Sequence, residues 1–136
     1  MVDIFTPEKR SKIMASIKGK DTKIELMLRK ALWNEGIRGY RLNVKLPGKP
    51  DIVFPKCKIA IFCDGDFWHG KDFDELKNRL NPYWIEKIQK NIERDEKNDT
   101  RLLKEEWIVL HFWESDIQKN LEGCISKIQR TIQLQE

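Results

Sequence analysis

Two short apolar runs constrain this chain more than any other feature. "DIVF" at 51–54 and "KIAIFC" at 58–63 are β-branched, nearly unbroken in apolar residues, and separated only by "PKC". Runs this short and apolar are expected of strands inside a sheet covered on both faces, since a half-exposed strand alternates apolar with polar residues. The second run leads into "FCDGDFWHGKDF", residues 62–73, which holds three aspartates, the adjacent Phe67 and Trp68, and one of the chain's 2 histidines. A core needs such aromatics but not the aspartates, and a solvated loop needs the reverse.

The flanking segments supply helices. Thr6 followed by Pro7 caps and opens a short helix through about Ile17, which "GKD" breaks. Thr22 and Glu25 have capping-box spacing ahead of "LMLRKALWNEG", a helix with the stripe Ile24, Leu28, Ala31 and Leu32 and with Gly36 at its C-terminal cap. "GYRLNVKL" at 39–46 alternates as a half-buried strand, and "PGKP" is a turn. Asn81-Pro82 begins a long helix over about 82–105, "WIVLHFW" is another buried strand, and "SDIQKNLEGCISKIQRTIQL" is a terminal amphipathic helix carrying Ile117, Leu121, Cys124, Ile125, Ile128 and Ile132. The order ααβββαβα predicts an α/β fold with a mixed β-sheet flanked by helices.

At 136 residues, 40% apolar and 35% charged, the chain fits one soluble globular domain, 1–136. No apolar run approaches the roughly 20 residues of a membrane span, and the N-terminus lacks the apolar core of a secretory signal. Cys57, Cys63 and Cys124 form no CxxC pair, so a reducing cytoplasm is the expected setting. The net charge of +4 is uneven: in the first thirty residues Lys9, Arg10, Lys12, Lys18, Lys20, Lys23, Arg29 and Lys30 face only Asp3, Glu8, Asp21 and Glu25. Such an arm, residues 1–20, suits a phosphate backbone, although a solvated helix face has the same composition.

Several acids fall where the pattern asks for apolar residues. The inward stripe of the long helix runs Trp84, Ile88, Ile92, Asp95, Asp99, Leu102. Either the stripe drifts and both acids are half exposed, or at least one meets a cation, a metal or a histidine. Asp51 opens a strand otherwise made of Ile52, Val53 and Phe54, where it either finishes the turn or serves chemistry. Together Glu25, Asp51, His69 and Asp95 form a set suited to phosphodiester hydrolysis, which needs a hard divalent cation on oxygen ligands, a base for the attacking water and charge neutralisation at the phosphate. His111, in mid-strand, reads as a satisfied structural histidine.

These residues resemble the very short patch repair (Vsr-type) DNA mismatch endonucleases. The matching stretches are "RSKIMASIKGKDTKIE" at 10–25, "LPGKPDIVF" at 46–54, "IFCDGDFWHG" at 61–70 and "YWIEKIQKNIERD" at 83–95, with "WIVLHFWE" at 107–114 as the family's last strand. The resemblance implies a PD-(D/E)xK-like restriction-endonuclease core and a Mg²⁺-dependent enzyme, with Mn²⁺ as substitute, that nicks one strand of double-stranded DNA beside a T:G mismatch or distorted base. It implies Asp51 as the central Mg²⁺ ligand with the backbone carbonyl of Cys63, His69 as general base or water-activating residue, Glu25 supporting His69 or the metal's water shell, and Asp95 completing the site. The intercalating positions fall on Met14, Phe67, Trp68 and Trp84. The chain's own cations Arg10, Lys12, Lys87 and Lys90 are the candidate phosphate contacts.

Two departures from the family pattern stand out. The family's structural zinc ligands fall here on Asp66, Lys71, Phe73 and Ser115, so no zinc is expected. The position of a second active-site histidine is Asp64, a further carboxylate expected to bind or approach the divalent ion. The competing expectations are a restriction- or homing-type module acting on intact duplex and a non-catalytic binder of distorted DNA. A DNA methyltransferase or a mismatch-repair protein is left open as partner, and the nucleoid in the cytoplasm is the expected location.

Overall fold

A computed structural model describes residues 22–66 and 70–135 of the chain. The expected helix over 6–17 and the arm at 1–20 lie outside the described residues, as do Phe67, Trp68 and His69. The two apolar runs form neighbouring antiparallel strands, β1 (Ile52–Phe54) and β2 (Ile59–Asp64), with Ile52 opposite Ile61 and Phe54 opposite Ile59. The third strand, β3 (Ile108–Trp113), joins the other edge of β2 in parallel, pairing Ile59 with Ile108 through Asp64 with Trp113. A mixed three-stranded sheet in the order β1-β2-β3 results.

Helices cover both faces, which is why these strands are apolar throughout. On one face Ile52, Phe54, Ile59, Ile61, Leu110 and Phe112 meet Ile24, Leu28 and Leu32 of α1 (Lys23–Asn34). The same cluster takes in Ile117 of α4 (Glu114–Lys119) and Cys124, Ile125 and Ile128 of α5 (Leu121–Gln135). On the other face Ala60 and Phe62 pack on Leu102 of α3 (Pro82–Lys104), the long crossover helix that lets β2 and β3 run parallel. A single turn of helix, α2 (Phe73–Leu76), lies ahead of it.

The helix ends follow their sequence signals. Thr22 Oγ1 accepts from the N–H of Glu25, and Asn81 Oδ1 accepts from that of Trp84. Gly36, at φ +77°, ends α1: its N–H donates to Trp33 O and the Ile37 N–H to Leu32 O, the paired bonds of a Schellman cap.

Two expected elements differ. Residues 39–46 do not form a strand. Only Arg41 pairs with Val53, by reciprocal N–H···O bonds of 2.7 and 2.9 Å, because Gly39 and Asn43 on either side take positive φ and turn the backbone away. The terminal helix is not continuous over 115–134 but breaks at Asn120, whose Oδ1 accepts from the Gly123 N–H at 3.2 Å and caps α5. Gly123 permits that cap, since a Cβ there would meet Asn120 Nδ2 at 2.4 Å.

Candidate active site

Antiparallel pairing sets the start of β1 beside the end of β2, so Asp51, Cys63 and Asp64 gather at one end of the sheet. The Asp51 N–H donates to Ile61 O at 2.9 Å, and the Cys63 N–H donates to Asp51 Oδ2 at 2.6 Å. Glu25, 9% exposed in the first turn of α1, shares a hydrogen bond with Asp51. Thr22 Oγ1, besides capping the helix, donates to Glu25 Oε1 at 3.1 Å. The glutamate therefore meets both the cap residue and Asp51.

Burial raises the pKa of Asp51, the Cys63 N–H pulls it down, and the negative charges of Glu25 and Asp64 raise it again, to about 7. Burial, followed by Asp51, Glu25 and Asp64, pushes the Cys63 thiol well up. That sulfur stays protonated, so Cys63 offers its backbone oxygen rather than a thiolate.

A second cluster adjoins the first. His111 Nδ1 lies 2.6 Å from Asp64 Oδ2, and its Nε2 lies 2.9 and 2.8 Å from the two oxygens of Asp99 on α3. Phe62 stacks on the ring, with centroids 4.7 Å apart and planes 13° apart. Burial alone would lower the imidazole's pKa, but the hydrogen bonds and charges of Asp64 and Asp99 raise it to about 9. The expectation of a satisfied histidine is met, with both ring nitrogens partnered. Asp99 meets a histidine, one of the two outcomes the stripe of α3 left open, but that this histidine is His111 and that it also holds Asp64 was missed. Only part of the signal lay in the sequence: Asp99 falls on the inward stripe of α3, but it is the parallel register, with His111 opposite Phe62, that puts His111 on the same face as Asp64.

Among the other candidates, Asp95 sits half-buried on α3 one turn before Asp99, with Oδ1 3.8 Å from Arg94 Nη2. Trp84, Lys87 and Lys90 occupy the first half of the same helix. Trp84 meets Tyr83 edge-on at 5.0 Å, Lys87 lies over the Tyr83 ring at 5.5 Å, and Lys90 pairs with Glu86 at 3.1 Å in solvent. Arg10, Lys12, Met14, Phe67, Trp68 and His69 lie outside the described residues.

The flanks of the 67–69 segment are well tied. Asp66 accepts from the Lys71 N–H through its carbonyl at 2.9 Å and from the Ser115 N–H through Oδ1 at 3.2 Å, and the Lys71 ammonium donates to Ser115 Oγ. Gly70, at φ +79°, lies so close to α3 that a Cβ would meet Ile92 Cδ1 at 2.4 Å. Asp66, Lys71 and Ser115, three of the positions matched to the family's zinc ligands, therefore hold one another by hydrogen bonds.

Among the described residues no three His, Cys, Asp or Glu side chains form a group able to hold a metal ion. A cation that keeps most of its water is compatible with that, since one or two protein oxygens suffice for it. Three clustered carboxylates with Asp51 held part-protonated are the chemistry that such an ion relieves. The described residues fit a hard divalent cation on Asp51 and a backbone oxygen.

Comparison with known proteins agrees with the resemblance read from the sequence. The profile of the family described as DNA mismatch endonuclease Vsr matches residues 2–75. The type II nicking enzyme V.NmeDIP of Neisseria meningitidis serogroup C is 44% identical over 134 residues, covering 96% of this chain and 90% of the relative. V.HpaIIP of Haemophilus parainfluenzae, also called a type II nicking enzyme, is 44% identical over 135 residues and covers 96% of each. The DNA mismatch endonuclease Vsr of Escherichia coli K12 is 36% identical over 116 residues, covering 84% of this chain and 74% of the relative. On these matches the chain belongs to the Vsr family of DNA mismatch endonucleases and is a DNA endonuclease.

Proposed function

We propose that this endonuclease is Mg²⁺-dependent and nicks one strand of duplex DNA beside a T:G mispair or similarly distorted base, as in very short patch repair. The observation that carries the proposal is geometric: the buried Asp51 carboxyl is held by the Cys63 N–H at 2.6 Å with Glu25 and Asp64 beside it, and burial, then those acids, push its pKa up. An acid cluster arranged this way is costly without a cation. The core reads as a variant of the PD-(D/E)xK arrangement, with Asp51 before β1 and its partners at the end of β2.

In this reading Asp51 and the Cys63 carbonyl would hold Mg²⁺, or Mn²⁺ as substitute, with Asp64 as a further carboxylate that would bind or approach it. The bound ion supplies charge neutralisation at the scissile phosphate. His69 takes the proton of the attacking water, Glu25 orients it, and Asp95 completes the site from α3. Phe67, Trp68, Met14 and Trp84 wedge into the base stack, a step that costs least where a pair is already mismatched. Arg10, Lys12, Lys87 and Lys90 contact phosphates. The names of the relatives at 44% identity, nicking enzymes, support cleavage of a single strand. The chain would act on the nucleoid in the cytoplasm, alongside a DNA methyltransferase or mismatch-repair protein. Among the described residues no helix is long and apolar enough to cross a membrane.

The test is nicking of matched and T:G-mismatched duplexes with Mg²⁺, with Mn²⁺ and with EDTA, for the wild type and Asp51→Ala. The reading requires nicking of the mismatched duplex alone, its loss in EDTA, and an Asp51→Ala protein that still binds DNA without cutting it. Equal cleavage of both duplexes would replace mismatch selectivity by a restriction-type activity. Binding without cleavage by the wild type would leave a recognition protein.

A further inference from the structure

One imidazole receives two carboxylates from different elements. Asp64 is the last residue of β2 and follows Cys63, whose N–H holds Asp51. It lies close enough to Asp51 for its charge to be felt there. Asp99 belongs to α3 and follows Asp95 by four residues, on the same face of the helix. His111 stands between them at 2.6 and 2.8 Å, its side chain 29% exposed and its ring stacked on Phe62.

In the endonuclease reading Asp64 and Asp95, the latter one turn from Asp99 on α3, serve the metal end of the sheet and have to be held in place. A carboxylate on a short side chain can swing by rotation about χ1, and a helix packed through few apolar residues can slide along the sheet. Within α3 only Ile88 and Leu102 are fully buried, and Asp95 and Asp99 lie between them. We propose that His111 is a positioning residue for the metal-binding end of the sheet. Its Nδ1–H fixes the rotamer of Asp64, and its Nε2–H holds Asp99, and through it Asp95, at a set height on the strands. The proposal rests on the endonuclease reading above and assigns His111 no contact with substrate. Hydrogen-bond partners behind metal-binding groups typically matter by about 10–100-fold in metal affinity or activity.

Two substitutions divide the clamp. In His111→Asn the amide nitrogen takes the place of Nδ1 and keeps the Asp64 bond only. In His111→Gln it takes the place of Nε2 and keeps the Asp99 bond only. Each is made in the full chain and compared with wild type and with Asp51→Ala. The readouts are Mn²⁺ affinity of the metal-free protein by calorimetry, Mg²⁺ dependence of single-turnover nicking, DNA affinity in EDTA, and melting temperature. His111→Gln should weaken Mn²⁺ binding and raise half-saturating Mg²⁺ by about 10-fold or more, with DNA affinity kept within about threefold. His111→Asn should bind Mn²⁺ nearly as wild type yet nick about tenfold more slowly at saturating Mg²⁺.

A His111→Gln protein with wild-type Mn²⁺ affinity and Mg²⁺ dependence overturns the proposal. So do equal losses in both variants that merely follow the drop in melting temperature. Cleavage by Asp51→Ala at the wild-type rate would instead overturn the endonuclease site itself, and this inference with it. An inactive Asp51→Ala beside an unaffected His111→Gln would overturn the positioning role alone.

Discussion

Asp51 accepts the backbone N–H of Cys63 at 2.6 Å with a carboxyl that burial and its acidic neighbours raise to about 7. The hydrogen bond favours the anion, while the surroundings oppose it. Function and stability therefore pull this residue in opposite directions.

Asp51→Asn separates the two. The amide oxygen still accepts from Cys63, and no charge is left to repel Glu25 and Asp64. The metal-free variant should be more stable than wild type at pH 8 by roughly 1–3 kcal/mol, read from urea denaturation in EDTA, while nicking is lost. A variant less stable than wild type under those conditions would show that Asp51 is not held against electrostatic cost.

The pH dependence of the metal-free protein follows from two raised pKa values. Asp51 titrates at about 7 in the fold against 3.8 for an ordinary aspartate, so the native state binds the extra proton between those values. Stability from this group is fully present below about 4 and is lost as pH rises through 7. His111 titrates at about 9 against 6.5, so its contribution is present below about 6.5 and is lost as pH rises through 9. Both slopes have the same sign. The melting temperature in EDTA should fall from pH 5 to pH 9 in two overlapping steps, the first absent in Asp51→Asn. Added Mg²⁺, competing with the Asp51 proton, should raise the melting temperature more at pH 8 than at pH 6.

What the sequence disclosed, and what it withheld, divides along physical lines. Strands β1 and β2 were legible because burial on both faces leaves an unbroken apolar run, and α1 and α3 because Thr22, Gly36 and Asn81 mark their ends. The strand expected at 39–46 failed because alternation says nothing of the positive φ at Gly39 and Asn43. The break at Asn120 was hidden because the apolar stripe from Ile117 to Ile132 continues in phase across it. Asp51 and Glu25 stood out as acids where the pattern asks otherwise, Cys63 was named through the resemblance, and the structure brings the three together. The partnership of Asp64, His111 and Asp99 depends on the parallel register of β2 and β3, a tertiary fact that no local pattern carries.

Gly70 makes the approach of the loop to α3 possible. Alanine there takes on both the strain of φ +79° and contact with Ile92 Cδ1 at 2.4 Å and Cγ1 at 2.8 Å. Gly70→Ala should cost about 1–3 kcal/mol and lower nicking of the mismatched duplex, since His69 is the preceding residue. Ile92→Ala in the same chain removes the obstructing methyl groups. The double variant should therefore lose less than the sum of the two single losses, a coupling that a denaturation cycle measures directly. Additive losses would place the strain in the backbone angle alone.

The Lys71–Ser115 hydrogen bond ties the same loop to the junction of β3 and α4, far in sequence from Asp66, which grips the Ser115 N–H. A single hydrogen bond of this kind contributes about 0.5–1.5 kcal/mol. Lys71 follows His69, the proposed base, by two residues, so this bond bears on the reaction as well as on stability. Ser115→Ala removes the acceptor and leaves the backbone N–H that Asp66 holds. It should therefore slow single-turnover nicking by about 3–10-fold while shifting the melting temperature little. Ser115→Thr restores a hydroxyl at the same atom and should recover the rate. Failure of threonine to do so, with alanine slow, would show that the serine acts through the space it fills and not through its bond to Lys71.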